Sequence, residues 1–202
     1  MKFNLILIAI LFFSQVDAQE CNYRENQKDE FTGDHLKKTE WQTLFSHTGL
    51  LKNVALNLSL VEINEQEYVE ILYQLKLDKS MSLGLSKKAS KLMFKLDNGK
   101  AVALDYGEND YSIYADRKFK SNKGKTSWYY NLSCKFILTP EQKEGLSNNK
   151  IEKVRIVTRD NENIEFDIPE KAKAPLLGFS FKGIKAKKFA PQSYFINTLA
   201  CL

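Results

Sequence analysis

The chain contains two histidines, His35 and His47, so any catalysis by an imidazole must use one of them. A Ser-His-Asp or Cys-His arrangement also needs a nucleophile beside the imidazole. No serine lies in a Gly-x-Ser-x-Gly turn. The two histidines are twelve residues apart without a Cys-x-x-Cys or His-x-x-x-His motif, which does not match a zinc site. We therefore expect no catalytic triad, no metal site and no cofactor.

Carboxylates are the next candidates, because glycoside hydrolysis uses two acids on either side of a sugar. Acids cluster around one predicted hairpin and on a later turn: Glu62, Glu65, Glu67, Glu70, Glu108 and Asp110. Acids at the ends of hairpins are normally solvated. A hydrolase that acts on envelope or other polysaccharides through a carboxylate pair therefore stays an alternative function.

Aromatic residues beside a basic loop favour binding over catalysis. Tyr114 and Tyr129 fall on the polar side of two adjoining predicted strands, and the loop between those strands carries Lys123 and Lys125. Exposed aromatic rings beside lysines can stack on a sugar or a peptide. We expect these four residues to bind the ligand.

The elements that position these residues are strands, since apolar residues recur with a period of two. In residues 128–138 the even positions are mainly apolar, which puts Cys134 on a buried face. We expect about eight strands, at 54–60, 69–77, 92–96, 100–104, 111–119, 128–138, 151–158 and 163–168. Nearly all follow one another as hairpins, which predicts a mainly β fold, an antiparallel β-sandwich or open barrel.

The Asn98-Gly99 dipeptide is a strong hairpin signal. A two-residue loop would split the apolar residues between the two faces of the hairpin. A three-residue loop over 97–99 pairs Phe94 with Val102 and makes one face apolar. We expect the three-residue loop, with Gly99 in the left-handed region.

Two helices are expected. Thr139, Pro140 and Gln142 form a helix-start signature, and Gly145 limits that helix to about two turns. Helical spacing of apolar residues in 190–202 predicts a C-terminal helix packed on a sheet.

The start of the chain is typical of an export signal, with an apolar stretch over 5–13 and a small-residue cleavage site that ends at Ala18. This stretch is too short to be a transmembrane anchor. The domain organisation is then a signal peptide at 1–18, a polar leader at 19–35 with Phe31 as its apolar anchor, and a single β-rich domain at 36–202.

The three cysteines would enter an oxidising compartment. Chain termini often lie close in space, so we expect a Cys21–Cys201 disulfide, with Cys134 unpaired in the core. Two free terminal cysteines are one alternative, and lipidation of Cys21 is another, although Ala18-Gln19-Glu20 is a poor lipobox.

Three stretches resemble recurring segments of small exported β-rich proteins of Bacteroidetes bacteria. They are residues 29–33 with 39–41, residues 91–104, and residues 139–156, the last with Thr-x-x-Gln followed by Ile-x-x-Val-Arg-Ile. The resemblance implies an exported β-rich protein. It assigns no activity and no site residue.

The net charge is +5, with acids interspersed among the bases, so there is no continuous basic field for nucleic acid. We expect an exported, non-enzymatic β module that binds a protein or glycan partner at the cell envelope or outside the cell. A structural or assembly component is a further alternative.

Overall fold

The computed structural model describes residues 21–49, 53–78, 83–113, 117–120, 124, 126–171 and 190–202. The expected signal peptide, residues 1–18, lies outside the described residues. Within them, no helix is long and apolar enough to cross a membrane.

The centre of the fold is the predicted hairpin of two long strands, β4 (Asn53–Ile63) and β5 (Gln66–Leu77). Their register pairs Ile63 with Gln66, so the turn consists of Asn64 and Glu65 alone. Both turn residues have a positive φ, of 49° and 68°. Two left-handed residues give a turn whose twist matches that of the paired strands, and this conformation favours a tight hairpin.

A large antiparallel sheet is built around this hairpin. Its strand order is β1-β2-β4-β5-β11-β10, and β3 also pairs with β4. The remaining strands of this sheet are β1 (Tyr23–Lys28), β2 (His35–Thr39), β3 (Gln42–Thr48), β10 (Arg117–Lys120) and β11 (Thr126–Ile137).

A second antiparallel sheet has the order β13-β12-β7-β8. Its strands are β7 (Lys91–Leu96), β8 (Ala101–Asp105), β12 (Ile151–Val157) and β13 (Asn163–Asp167). Two short strands, β6 (Leu83–Leu85) and β9 (Tyr111–Ile113), form a separate pair. The mainly antiparallel β fold that the sequence predicts is therefore confirmed.

The two larger sheets share one hydrophobic core. The ring of Phe166 in β13 lies 5.3 Å from Phe45 and 5.7 Å from Tyr73 of the large sheet, measured between centroids. Cys134 on β11 is buried and unpaired, as predicted. Face-to-face packing of this kind is the arrangement of a β-sandwich.

The β7–β8 hairpin has the predicted register. Phe94 pairs with Val102, and the amide of Leu96 donates to the carbonyl of Lys100 at 2.9 Å. Residues 97–99 form the loop, and Gly99 has a φ of 80°. The three-residue loop is confirmed, because only this loop keeps the apolar residues on one face.

The first helix, α1 (Pro140–Ser147), begins with the predicted capping box. The hydroxyl of Thr139 accepts from the amide of Gln142, and the Gln142 side chain accepts from the amide of Thr139. This reciprocal pair satisfies two amide donors at the helix start.

The C-terminal segment contains the expected helix, which is short. A 3-10 turn at Pro191–Ser193 leads into α2 (Tyr194–Thr198), and a second follows at Leu199–Cys201. Phe195 is fully buried and packs edge-on against Phe94 of the second sheet at 4.9 Å. The Cys21–Cys201 disulfide joins this segment to the start of β1, as predicted.

The strand count and one side chain differ from expectation. Thirteen strands lie in the described part of the chain, rather than about eight. β1, β2, β3 and β6 were not predicted, and the expected strand at 111–119 contains two strands, β9 and β10. β1 and β2 have polar residues on both faces, so they lack the alternation that reveals a half-buried strand.

Phe31 is not an apolar anchor. Its side chain is 98% exposed in the loop between β1 and β2, so the expectation that it anchors the polar leader is wrong. Both neighbouring strands anchor the loop through the sheet ladder instead.

Replacing Gly99 by valine should lower the free energy of unfolding by about 1–2 kcal/mol, because a branched residue pays for the left-handed conformation. No atom lies within 4 Å of a Cβ added at this position, so the loss measures the backbone alone. Urea unfolding of Gly99→Val should show this loss, whereas Gly99→Asn should lose clearly less. A valine variant as stable as the wild type would contradict the left-handed turn.

Thiol counting tests the disulfide. Burial, together with the charges of Glu108 and Glu70, raises the pKa of the Cys134 thiol well above its ordinary value. The native protein should therefore show no reactive thiol at pH 8, and the unfolded, unreduced protein should show one. The unfolded, unreduced Cys134→Ala variant should then show no reactive thiol. Two or three thiols in the unfolded, unreduced wild type would rule out the Cys21–Cys201 bond.

Candidate functional site

The predicted ligand-binding set is only partly described by the structure. Tyr114, Lys123 and Lys125 lie outside the described residues. Tyr129 is half-buried on β11, directly opposite Lys76 of β5. The Lys76 ammonium lies 5.4 Å from the centroid of the Tyr129 ring, within the range of a cation–π contact.

Tyr129 belongs to the side of β4, β5 and β11 that points away from the shared core, which we call the outer face. The alternation along β11 produces this face. Tyr130, Leu132 and Cys134 are buried on the inner side, whereas the intervening Asn131 and Ser133 are exposed. The period of two therefore presents an aromatic ring, an amide and a hydroxyl in one line on a rigid strand.

Hydrogen bonds fix the amides of the outer face. The Gln74 amide donates to Asn131 Oδ1 at 3.0 Å. The Asn57 amide donates to the carbonyl of Leu72 at 3.2 Å, and Thr43 donates to Asn57 Oδ1 at 2.6 Å. Gln74 and Asn57 are buried, so these bonds offset the cost of burying their polar groups.

A buried ion pair lies further along the outer face. Glu70 is 6% exposed and accepts from the Arg24 guanidinium at 2.5 Å. The guanidinium carbon lies 4.4 Å above the ring of Trp41, and Ser133 lies 3.5 Å from the other carboxylate oxygen. A β-bulge between Tyr23 and Glu25 takes Arg24 out of the strand register. Arg24 and Trp41 therefore form a second cation–aromatic pair on this face.

The two cation–aromatic pairs lie at opposite ends of one strand segment. Lys76 and Glu70 are six positions apart on β5. A rise of about 3.3 Å per residue separates them by about 20 Å. Between the two pairs, Asn57 and Gln74 are buried, so the accessible part of the outer face is the segment of β11 with Tyr129, Asn131 and Ser133.

The acids that could form a hydrolytic pair are held by lysines. Glu62 and Glu67 face each other across the β4–β5 hairpin. Lys37 donates to both oxygens of Glu62, at 3.2 and 3.0 Å, and Lys143 pairs with Glu67. Antiparallel neighbours have Cβ atoms about 5 Å apart, which is near the carboxylate separation of retaining glycosidases. Each of the two carboxylates is therefore already paired with a lysine ammonium group.

The acids on the later turn also have separate partners. Glu108 accepts from the Lys135 ammonium at 2.7 Å and from its backbone amide at 3.0 Å. Partial burial alone would lower the pKa of Lys135, but the hydrogen bond and charge of Glu108 raise it above its ordinary value. Asp110 instead accepts from the amide of Lys87. Among the described residues, no three His, Cys, Asp or Glu side chains could hold a metal ion.

The histidines lie apart from the buried cysteine. His35 is at the start of β2, where Nε2 lies 3.2 Å from Asn26 Oδ1 and Nδ1 lies 3.8 Å from Glu62 Oε1. His47 is exposed near the end of β3. Cys134 is on β11, and β4 and β5 lie between that strand and the strands of the two histidines, so neither imidazole contacts its sulfur.

A groove of about 690 Å³ lies between α1 and the β7–β8 hairpin. Gln142 spans it, donating to the carbonyl of Ala103 at 2.7 Å. Two carboxylates line the groove, those of Glu141 and Glu144. They are three residues apart on one helix, so they lie on the same side of the groove. This arrangement does not place acids on opposite sides of a sugar.

Sequence reasoning missed Arg24, Trp41 and Lys76. Arg24 lies in the stretch expected to be a polar leader, and its partner Glu70 is 46 residues away. No local pattern signals a contact of that separation. The Lys76 contact could be inferred only from the β5–β11 register, which the sequence does not specify.

No protein-family model, no curated protein and no solved structure matches this chain.

Arg24→Ala should lower the free energy of unfolding by roughly 2 kcal/mol, because the buried Glu70 carboxylate loses its partner. The partial exposure of the Arg24 side chain, 26%, limits this loss. Lys91→Ala is the matched control, since it breaks the exposed Lys91–Asp105 pair. We expect that control to lose less than about 1 kcal/mol. Equal losses in thermal or urea unfolding would contradict a structural role for the Arg24–Glu70 pair.

Proposed function

We propose that this chain is an exported, non-enzymatic binding module that works in the cell envelope or outside the cell. The Cys21–Cys201 disulfide supports an oxidising compartment, because such bonds are rare in the cytosol. The ion pairs of Glu62, Glu67, Glu70 and Glu108 with basic residues argue against a free carboxylate pair.

The outer face is the proposed binding surface. The observation that carries the proposal is the line of Tyr129, Asn131 and Ser133 on β11, with Lys76 beside the ring. A ring held by a strand loses little conformational entropy when a ligand stacks on it. The expected contributions of Tyr114, Lys123 and Lys125 remain part of this proposal.

A glycan fits this surface best. The apolar face of a sugar ring can stack on tyrosine, and its hydroxyls can pair with an amide and a serine hydroxyl. Lys76 adds a positive charge that favours an acidic sugar over a neutral one.

Affinity electrophoresis with a panel of soluble neutral and acidic polysaccharides tests this proposal. We expect at least one acidic polysaccharide to retard the wild-type protein and Tyr129→Ala to weaken that binding at least about tenfold, a loss of about 1.4 kcal/mol. Phe31→Ala is the control, because Phe31 is an exposed aromatic residue in the loop between β1 and β2, outside the outer face. No retardation by any member, or equal effects of the two variants, would contradict the proposal.

A hydrolase is the second candidate, because Glu62 and Glu67 face each other across β4 and β5. In this case the same polysaccharides would release reducing ends, and Glu62→Gln or Glu67→Gln would abolish the release. We expect no reducing ends from the wild-type protein. Their appearance would replace the binding proposal with the hydrolase.

A further inference from the structure

The loop between β1 and β2, residues 29–34, presents Phe31 to solvent; we call it the Phe31 loop. Phe31 is 98% exposed, whereas the other exposed large hydrophobic residue in the described part of the chain, Ile196, is 41% exposed. Scattered, partly exposed apolar residues are normal on a protein surface. An aromatic ring exposed almost completely has no packing role in the fold.

The loop backbone is fixed although the ring is not packed. The Asp29 carboxylate accepts from the amides of Phe31 and Thr32, both at 2.8 Å. These two bonds, that of the Thr32 amide first, lower the pKa of Asp29. The amide of Gly33 donates to the Asp29 carbonyl at 2.9 Å, and the Thr32 hydroxyl donates to Asp34 at 2.8 Å.

The loop is also tied to the central hairpin. The Asn64 side chain, in the β4–β5 turn, donates to Asp34 Oδ1 at 2.7 Å and accepts from the amide of His35 at 2.8 Å. The amide of Asn64 in turn donates to the carbonyl of His35 at 3.0 Å. The hydrogen bonds of the loop therefore hold Phe31 in a fixed, exposed position. This rigidity lowers the conformational entropy that is lost when the ring enters a pocket of a partner.

The charge of the loop limits what that partner can be. Asp29, Glu30 and Asp34 make residues 29–34 triply negative with no basic residue, in a chain whose net charge is +5. Glu65 in the adjoining turn is also acidic and exposed. An anionic lipid surface would repel this tip. A pocket rimmed by lysine or arginine would attract it.

We propose that the Phe31 loop is a docking tip that inserts Phe31 into an apolar pocket, rimmed by lysine and arginine, on a partner protein. The ring supplies the buried anchor and the surrounding acids supply orientation and salt-dependent attraction. This surface consists of other residues than the outer face, so it stands or falls independently of glycan binding.

The first experiment replaces Phe31 in the full-length protein by the photoreactive p-benzoylphenylalanine in cells of the source organism. Irradiation should cross-link the residue at position 31 to one defined protein. The same photoreactive residue at position 196, the control position, should not cross-link to that protein. Mass spectrometry of the cross-linked peptide should place the contact in a pocket that has apolar walls and basic residues at its rim.

The second experiment measures affinity between this chain and that purified partner. Phe31→Ala should weaken binding at least about 30-fold, the loss typical of a hot-spot residue, while Ile196→Ala changes it less than about threefold. Glu30→Gln should weaken binding modestly and reduce its dependence on salt, since Glu30 is exposed. Unfolding curves that match the wild type will show that both loop variants are folded.

Several outcomes would overturn the proposal. They are no cross-linked protein at position 31, cross-linking only to a lipid or a glycan, cross-linking to a second copy of this chain, and a partner whose affinity survives Phe31→Ala. A partner that binds the Phe31 loop in a pocket with acidic residues at its rim would also contradict the proposal. Loss of glycan binding in Tyr129→Ala bears on none of these results.

Discussion

The alternation of side chains along β4, β5 and β11 is the constraint on which the rest of the structure depends. These three strands are eleven or twelve residues long and pair over nearly their full length. Every second residue enters the core shared with the second sheet, and the others form the outer face. Because the side-chain period is two, a slip of one residue would exchange the core with the proposed binding surface.

The remaining elements close the core from its open sides. The second sheet contributes Phe94 and Phe166 to the shared core, and α2 brings Phe195 against Phe94. The Cys21–Cys201 bond fixes the last residues to the start of the large sheet. Tyr23 adds a hydrogen bond from its hydroxyl to the carbonyl of Cys201 at 2.8 Å. A sheet edge and a chain end thus stabilise each other through covalent and polar contacts.

Local patterns in the sequence were sufficient for the elements that alternate clearly. The β4–β5 and β7–β8 hairpins, the burial of Cys134 and the capping box at Thr139 all follow from residues within a short window. The Cys21–Cys201 bond could be predicted because the termini of a domain tend to lie close together. Each of these features has a strong local physical signal or a general rule behind it.

The features that the sequence did not reveal depend on contacts between distant segments. β1 and β2 are polar on both faces and become strands only because β4 offers an edge on which β2 pairs. Phe31 resembles a core residue by type, but the hydrogen bonds of Asp29 and Asn64 that hold its loop outward are visible only in the fold. The Arg24–Glu70 pair needs both a bulge and a neighbouring sheet position.

The register of the three central strands is the most direct test of this account. In a two-dimensional NMR spectrum of the folded protein, cross-strand NOEs should join the backbones of Leu58 and Ile71, and those of Ile71 and Cys134. Helical NOEs in these segments, or NOEs that join partners displaced by one residue, would contradict the account, because the inner and outer faces would then change places.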